Sequence, residues 1–298
     1  MADLLLIDGH NIIFRAFYGI KPLSRRDGFP VNAIYGWVKT IWRLQDLVRP
    51  QKTFAFFDLG KSTARLEIYP EYKANRAPTP KDLQKQILPI LEISKTMGIG
   101  VLMEENVEAD DFLASFAVQQ AEAGASVAVA SADKDFTQII GGSIVQWTPV
   151  VTPLKSDWQP MDSERVMAKW GIPPEAMVDF LSLVGDVADN IRGIRRVGAK
   201  TAGRLLRQYG SIDGILAHAN ELPAELHNQL HQDEELLRRN QRLVRFNLSA
   251  EPLILEVPAR RNDDFYKLLL KYELPSLMQT AMERDSCVSQ ALLSWVED

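Results

Sequence analysis

Short apolar runs alternate with longer amphipathic segments through the first half of the 298-residue chain. Four runs have the length of buried strands: Leu4–Ile7, Thr53–Phe57, Ile99–Met103 and Ser126–Ala130. Three segments carry apolar residues at helical spacing: Ala33–Leu47, Lys81–Met97 and Asp110–Ala123. Buried strands that alternate with helices predict an α/β fold, in which a mostly parallel central sheet is flanked by helices.

The pattern changes near residue 160, where strand-like runs become rare. The stretches SERVMAKWG, PPEAMVDFLSLVG and AKTAGRLLRQYG are helical in pattern and are separated by short Gly, Pro and Asp turns. We therefore predict two domains, an α/β core over residues 1–165 and an all-helical region over residues 166–298. Within the second, residues 175–210 have the form of a helix, a glycine-bounded hairpin and a second helix.

Carboxylates follow the predicted strands or open helices and turns. They are Asp8, Asp58, Glu108, Asp110, Asp111, Asp133, Asp135, Asp186 and Asp189. Each alone is explained by a helix cap or a solvated charge. Ligands bind at the carboxyl edge of parallel sheets, where separate strand ends meet, so we expect these acids to converge. Nine converging acids would repel one another, and a hard divalent cation with oxygen ligands relieves that repulsion.

The other residue types narrow the choice of metal. The chain has one cysteine, Cys287, and four histidines without zinc-site spacing. This composition favours Mg²⁺, with Mn²⁺ as a substitute, over zinc. Two such ions about 4 Å apart are the usual arrangement for phosphodiester hydrolysis.

Two basic segments offer contacts for a phosphate backbone. In RLEIYPEYKANR, Arg65, Lys73 and Arg76 interleave with tyrosines, as in single-strand binding sites, although a loop with its tyrosines packed inward has the same pattern. The second segment runs from residue 190 to 210 and contains six basic residues and no acid. Its glycines resemble a P-loop, but Ala199 interrupts that motif, and we reject it.

Net charge and compartment are consistent with this interpretation. The net charge of −5 argues against nucleic acid at first sight. Without the nine clustered acids, however, 30 acidic residues stand against 34 basic ones, and DNA binding depends on local fields. The single cysteine fits a reducing cytoplasm. The sequence MADLLLIDGH lacks a basic n-region, so we expect neither a signal peptide nor a membrane partner.

The motifs together resemble the 5′-nucleases, which include flap endonucleases and the 5′–3′ exonuclease domain of bacterial DNA polymerase I. The resemblance covers at least residues 3–250. It rests on LLLIDGHNIIFRAFY, FAFFD, YPEYKANR, VEADDFLAS, ADKDFTQII and GDVADNI followed by GAKTA, in the order and spacing of the family.

The resemblance implies a PIN-like nuclease core, two or more Mg²⁺ ions and an arch segment over about residues 62–90. By position, Asp8, Asp58, Glu108, Asp110 and Asp111 match the first metal site, and Asp133, Asp135, Asp186 and Asp189 match the second. Arg15, Lys73 and Arg76 match residues at the scissile phosphate and the arch, and Tyr72 matches an aromatic that stacks on a base. The expected DNA contacts are completed by Arg65, Arg192, Gly193, Arg195, Arg196, Gly198, Lys200 and Thr201.

One motif departs from the family. Its hairpin reads IRGIRRVG here, where relatives carry a form such as IPGVPGIG and hold a potassium ion. An arginine at position 196 adopts a positive φ with difficulty, but its long cationic side chain can reach a phosphate directly. We therefore expect Arg196 to replace the K⁺ ion in duplex binding.

Two functions of different class follow from these observations. The first is a structure-specific nuclease acting as a monomer on DNA with 5′ flaps, nicks or 5′ ends in replication and repair. The second is a non-catalytic module that binds branched DNA with the same fold. The complete carboxylate set favours the nuclease, because a DNA-binding protein gains nothing from nine acids facing a polyanion. Whether the chain belongs to a longer polymerase, and whether it acts on RNA-primed strands, stays open.

Overall fold

A six-stranded sheet forms the centre of the N-terminal part of the chain in the computed structural model, which describes residues 2–60, 63–151, 156–249, 251 and 253–294. Its strands in chain order are β1 Leu4–Asp8, β2 Lys52–Phe56, β3 Gly100–Leu102, β4 Val127–Ala130, β5 Ile144–Val151 and β6 Ser156–Met161. The spatial order is β3-β2-β1-β4-β5-β6. All neighbours are parallel except β5 and β6. The predicted α/β class is confirmed.

Helices cover both faces of this sheet because β1 is apolar on both sides. Leu5 and Ile7 belong to one core cluster, and Leu4 and Leu6 belong to another, so successive residues face opposite layers. The helices of this part of the chain are α1 Gly9–Gly19, α2 Asn32–Val48, α3 Ala64–Ile68, α4 Lys81–Thr96, α5 Ala109–Glu122 and α6 Ser163–Trp170. Of these, α3 packs through Leu66 and Ile68 on the core of the helical region. α2 and α4 pack in the first cluster and α5 packs in the second.

The four predicted strands and three predicted helices all form, but β5 and β6 were not predicted. Both strands contain proline, which weakens a strand pattern. Pro149 pairs opposite Trp158, and Pro160 pairs opposite Trp147 in the same antiparallel ladder.

The helical region has a hydrophobic core of its own. Its elements are α7 Met177–Val184, β7 Gly185–Asp186, β8 Ile191–Arg192, α8 Ala199–Tyr209, α9 Ile212–Ala217, α10 Ala224–Gln232 and α11 Glu234–Val244. Segment GDVADN is the short β7–β8 hairpin and not the helical turn that would have made Asp186 and Asp189 neighbours by spacing alone.

The last two helices, α12 Asn262–Lys271 and α13 Pro275–Ser294, return to the α/β core. Phe265 and Leu269 are buried in the same cluster as Trp37 and Trp42 of α2. The apolar face of α12 thus packs against α2 and α4 of the N-terminal part, although the sequence places α12 in the helical region predicted over residues 166–298. The division near residue 165 stays a prediction.

The predicted arch segment begins at residue 62, which lies outside the described residues. From residue 63 the segment consists of α3, a turn over residues 70–75 and the start of α4. Among the described residues, no helix combines the length and the apolar composition that crossing a bilayer requires.

Candidate metal and nucleic-acid site

The first group of carboxylates lies at the carboxyl ends of β1, β2 and β4. Asp8 ends β1 and caps α1 by accepting a hydrogen bond from the Asn11 N–H at 3.1 Å. Its second oxygen accepts from the Ser131 hydroxyl at 2.6 Å. Because β1 is parallel to its neighbours on both sides, Asp58 and Asp133 follow their strands at the same edge.

Helix α5 begins at this edge and adds two acids. Asp58 accepts a hydrogen bond from the Ala109 N–H at 2.8 Å, which holds the start of α5 against the end of β2. Glu108 precedes the helix, and Asp110 lies in its first turn. Negative charge at a helix N-terminus is stabilised by the free amides there.

The second group consists of Asp135, Asp186 and Asp189. Each offers one oxygen, and these three oxygens lie within 4.8 Å of one another. Asp135 lies on a 3₁₀ turn after β4, whereas Asp186 ends β7 and Asp189 lies in the β7–β8 turn. Oxygen Oδ1 of Asp135 is buried and has no hydrogen-bond partner among the described residues.

Burial and the repulsion of neighbouring acids raise the pKa of Asp8, Asp110, Asp133 and Asp135. Burial, with a smaller contribution from Asp133 and Asp58, raises the pKa of Asp8 to about 7. Burial also raises the pKa of Asp110 well above its usual range, and Asp8 and Asp133 add to the rise. The pKa of Asp135 is raised in the same way by burial and by Asp133. Carboxylates held close at this cost, with an unpartnered oxygen among them, fit hard divalent cations.

Basic residues of the arch segment reach into both groups. The Lys73 Nζ lies 2.8 Å from Glu108, and the Arg76 guanidinium lies 2.5 Å from Asp189. The backbone N–H of Lys73 donates to the Asp189 carbonyl at 3.0 Å, so the turn itself docks on the β7–β8 hairpin. The structure thus brings two of the three cations predicted to be catalytic, Lys73 and Arg76, to the carboxylates.

Tyr72 differs from the prediction that it stacks on a base. Its side chain is buried in the core of the helical region, with 7% of the residue exposed. Its hydroxyl donates to Asp189 at 3.0 Å. A ring held there anchors the arch segment and presents no free face to a nucleobase.

Arg65 and Asp111 also differ from their predicted roles. They form a buried bidentate ion pair with N–O distances of 2.6 and 2.8 Å, and both side chains are 7% exposed. Arg65 also donates to the Leu243 carbonyl at 2.7 Å, and Asp111 accepts from the Asn247 N–H at 3.0 Å. Unlike the other eight acids, as the structure describes them, Asp111 gives both of its oxygens to one buried guanidinium, so we correct its role from metal ligand to structural anion. Arg65, buried against it, is corrected from DNA contact to structural cation.

Arg15 lies on α1 and lines a groove with Lys134, Lys169 and Trp170. Burial lowers the pKa of its guanidinium, and no ion pair to it occurs among the described residues. The Arg15 guanidinium is therefore free to bind a phosphate, as the sequence predicts.

The predicted duplex contacts lie between β8 and the first turn of α8. Arg192, Arg195, Arg196, Gly198 and Lys200 are exposed, and Thr201 is half-buried. A side chain at position 193 would collide with the Val184 carbonyl, so glycine is needed there for close approach of two backbone segments. Arg196 adopts φ 63° despite the steric cost and pairs with Glu225 of α10, while Arg192 lies 3.3 Å from Asp233.

Three polar neighbours of the carboxylates escaped the sequence analysis. Ser131 bonds Asp8, Lys134 lies 2.6 Å from Asp186, and the His10 ring nitrogen Nδ1 accepts from the Asp58 N–H at 3.2 Å. All three lie within three residues of a predicted ligand, in LIDGH or SADKD. Their proximity in sequence was the available signal, but only the fold shows which atoms of the acids they contact.

Comparisons with known proteins agree with this architecture. The family model described as 5′-3′ exonuclease, N-terminal resolvase-like domain, matches residues 3–171, and the model described as 5′-3′ exonuclease, C-terminal SAM fold, matches residues 172–259. A 5′-3′ exonuclease of Aquifex aeolicus is 34% identical, covering 98% of each chain. A DNA polymerase I of Rhizobium leguminosarum is 32% identical over 97% of this chain, which spans 29% of that polymerase's length.

Solved structures share the fold. The T5 5′-exonuclease with bound zinc superposes with a TM-score of 0.65 at 23% identity, covering 94% of this chain and 98% of the other. The catalytic core of Rad2 in complex with DNA substrate gives 0.60 at 14% identity, covering 91% and 88%. The resemblance inferred from the sequence motifs is confirmed. With two family models matched in chain order and a relative of equal length, this chain belongs to the 5′–3′ exonuclease family of nucleases.

Proposed function

We propose that the protein hydrolyses DNA phosphodiesters at 5′ flaps, nicks and 5′ ends with two or more Mg²⁺ ions, and that it serves DNA replication and repair. One observation carries the proposal. Eight carboxylates, all buried or half-buried except the exposed Asp58, converge at one sheet edge, with the basic arch segment docked on them. A module that only binds DNA has no use for acids whose ionisation is this costly.

The carboxylates would hold the cations in two groups. The first consists of Asp8, Asp58, Glu108 and Asp110. The second consists of Asp135, Asp186 and Asp189, with Asp133 between the groups. When bound, such cations activate water and stabilise the leaving oxygen. A neighbouring structure supports the choice of metal class, since divalent metal ions (zinc) are bound to the T5 5′-exonuclease.

The protein's own cations would act on the phosphate. Lys73 and Arg76 are held at the carboxylates by ion pairs, from which they can turn to the scissile phosphate as its charge develops. Arg15, which has no competing ion pair, would hold an adjacent phosphate. Ser131 and His10 orient Asp8 and Asp58 by hydrogen bonds.

Duplex DNA would lie on residues 193–198, the connection between β8 and α8. Ala199, Lys200 and Thr201 begin α8, and their backbone N–H groups can donate hydrogen bonds to a phosphate without side-chain rearrangement. The structural neighbour Rad2 was solved with DNA, which supports this partner class. We propose that Arg196 contacts a phosphate where relatives use K⁺, and that the protein acts as a monomer.

The test is incubation of a 5′-labelled flap with the protein, Mg²⁺ or Mn²⁺, and then excess chelator. We expect cleavage near the junction that stops on chelation and does not occur in the Asp110→Asn variant. Tight binding of the flap without any cleavage in either metal would favour the non-catalytic DNA-binding module.

A further inference from the structure

A second concave site lies next to the carboxylates and meets them at Arg65, whose guanidinium is 3.4 Å from Glu108. Its volume is about 620 Å³, and its walls come from α3, the C-terminal half of α11 and residues 245–247. The buried Arg65–Asp111 pair forms one wall, and the half-buried Ile68 and the buried Phe246 are apolar members of the lining. This volume suits one small ligand or a nucleotide or two of a strand, and it is too small for a duplex.

The pocket is strongly positive. Arg238, Arg242 and Arg245 are spaced by four and three residues, which places them on one face of α11 and its end. The pocket's one carboxylate, Asp111, is neutralised by Arg65. Arg238 is paired with Asp213 at 2.6 Å and Glu234 at 3.4 Å, whereas no ion pair to Arg242 or Arg245 occurs in the described part of the chain. Two unpaired guanidiniums therefore face the opening.

The row of arginines extends over about 10 Å, since seven helical residues rise about 1.5 Å each. A row of that length matches successive phosphates of a strand better than a single phosphate ion. Next to it, Arg239 lies 4.2 Å from the ring centroid of Tyr69. Cations in line with an adjacent aromatic ring are the arrangement that single-stranded nucleic acid uses.

The pocket is close to the carboxylate groups through α5. Asp110 interacts with Asp8 and Asp133 on one side, and Asp111 lines the pocket on the other. Consecutive helical residues diverge by about 100°, and a helix with its side chains is about 10 Å across. A strand advances at least about 3.4 Å per nucleotide, so two or three nucleotides span the distance from cluster to pocket.

We infer that the face formed by Arg242 and Arg245 binds the single-stranded 5′ extension of the substrate, a few nucleotides beyond the phosphate at the carboxylates. The inference rests on the proposed function for its choice of strand. The phosphates bind the arginines, and a base contacts the half-buried Ile68. The pocket then makes affinity depend on the length of the 5′ extension.

The experiment measures binding by fluorescence anisotropy of labelled duplexes in EDTA, with 5′ extensions of none to about eight nucleotides. The proteins are the wild type, the double variant Arg242→Gln/Arg245→Gln and the charge-matched control Lys52→Gln/Lys95→Gln. The control removes two exposed lysines at the amino edge of the sheet, away from the pocket. Thermal midpoints of all three proteins verify that they are folded.

We expect the wild type to bind at least tenfold more tightly as the 5′ extension grows, the control to keep this gain, and Arg242→Gln/Arg245→Gln to lose most of it. Two lost contacts should lower the slope of log affinity against log salt by about 1.4 on the extended substrate. A gain that persists in Arg242→Gln/Arg245→Gln, or that disappears equally in the control, overturns the inference. So does an equal gain from 3′ extensions.

Cleavage is measured separately with wild-type protein and Mg²⁺. Cleavage of the flap together with an unaltered length dependence in Arg242→Gln/Arg245→Gln refutes the pocket alone. A length dependence that those substitutions abolish, in a protein that never cleaves, refutes the proposed function alone.

Discussion

At the scale of single residues, the two adjacent acids of VEADD, Asp110 and Asp111, have different roles, although the sequence predicts that both bind metal. Asp110 lies among the carboxylates, while Asp111 accepts two hydrogen bonds from Arg65 and one from the Asn247 N–H. Adjacent residues of a helix point about 100° apart, so two neighbouring acids in one motif face different surroundings. The same substitution at each position should therefore have different effects.

We expect Asp110→Asn to abolish Mg²⁺-dependent cleavage, while DNA affinity in Ca²⁺ stays near that of the wild type or increases because a repulsive charge is lost. Asp111→Asn should instead lower the free energy of unfolding by about 3 kcal/mol, since it breaks the buried bidentate pair and leaves Arg65, among the described acids, with only Glu108, at 3.4 Å. Single-turnover assays measure cleavage by both variants, and urea denaturation measures the change in their free energy of unfolding. Cleavage by Asp110→Asn within about tenfold of wild type would remove Asp110 from the metal site.

Lys73 is a residue whose ion pair has to change during the reaction. In the structure its Nζ is bound to Glu108, and its pKa is raised by the neighbouring carboxylates, which outweigh the lowering by burial. If Lys73 stabilises charge that develops on the phosphate, Lys73→Ala should lower the single-turnover rate more than it weakens binding. Rapid-quench kinetics and equilibrium binding on one flap substrate separate the two. A rise in the dissociation constant alone would make Lys73 a simple phosphate clamp.

At the scale of elements, the connection between β8 and α8 contains an arginine where glycine would fit better. Arg196 has φ 63°, and its guanidinium is held by Glu225 in an exposed pair. Exposed pairs contribute about 1 kcal/mol or less, so DNA phosphate can displace Glu225. A strained residue kept in an exposed turn is best explained by the charge it carries.

Arg196→Gly should therefore have two opposite effects. The free energy of unfolding should rise by about 1 kcal/mol, because glycine removes the cost of the left-handed conformation. The slope of log duplex affinity against log salt should fall by about 0.9, the value for one lost phosphate contact. Denaturation and a salt titration in both K⁺ and Na⁺ measure these effects. An unchanged slope with equal or tighter binding would mean that Arg196 stays in solvent.

At the scale of the whole molecule, the C-terminal segments pack back onto the N-terminal α/β core. After α11, residues 253–257 pack beside α5, and α12 and α13 bury their apolar faces against α2 and α4. Arg65 adds a further link, because it joins α3 and α5 to the carbonyl groups of Leu243 and Arg245. The nuclease core thus depends on residues more than 200 positions away in sequence.

Substitution in α12 should destabilise the α/β core. Phe265 is 1% exposed and meets the Trp42 ring edge-on at 6.1 Å between centroids. We expect Phe265→Ala to lower the free energy of unfolding by about 3–5 kcal/mol. Leu270→Ala, on the same helix at an exposed position, should change it by less than about 0.5 kcal/mol. Tryptophan fluorescence during urea unfolding reports on this core, and equal effects of both substitutions would contradict the packing.

The sequence alone determined the fold class, four strands of the sheet and the acids of the carboxylate edge. Buried strands and amphipathic helices have distinct periods, and each acid follows or begins such an element. The tertiary structure decided what local patterns do not contain. It assigned Asp111 to Arg65 and not to the carboxylate edge, buried Tyr72, paired the proline-containing β5 and β6, and returned α12 to the first core. In each case the partner lies far away in the chain, so no local period or motif could specify the contact.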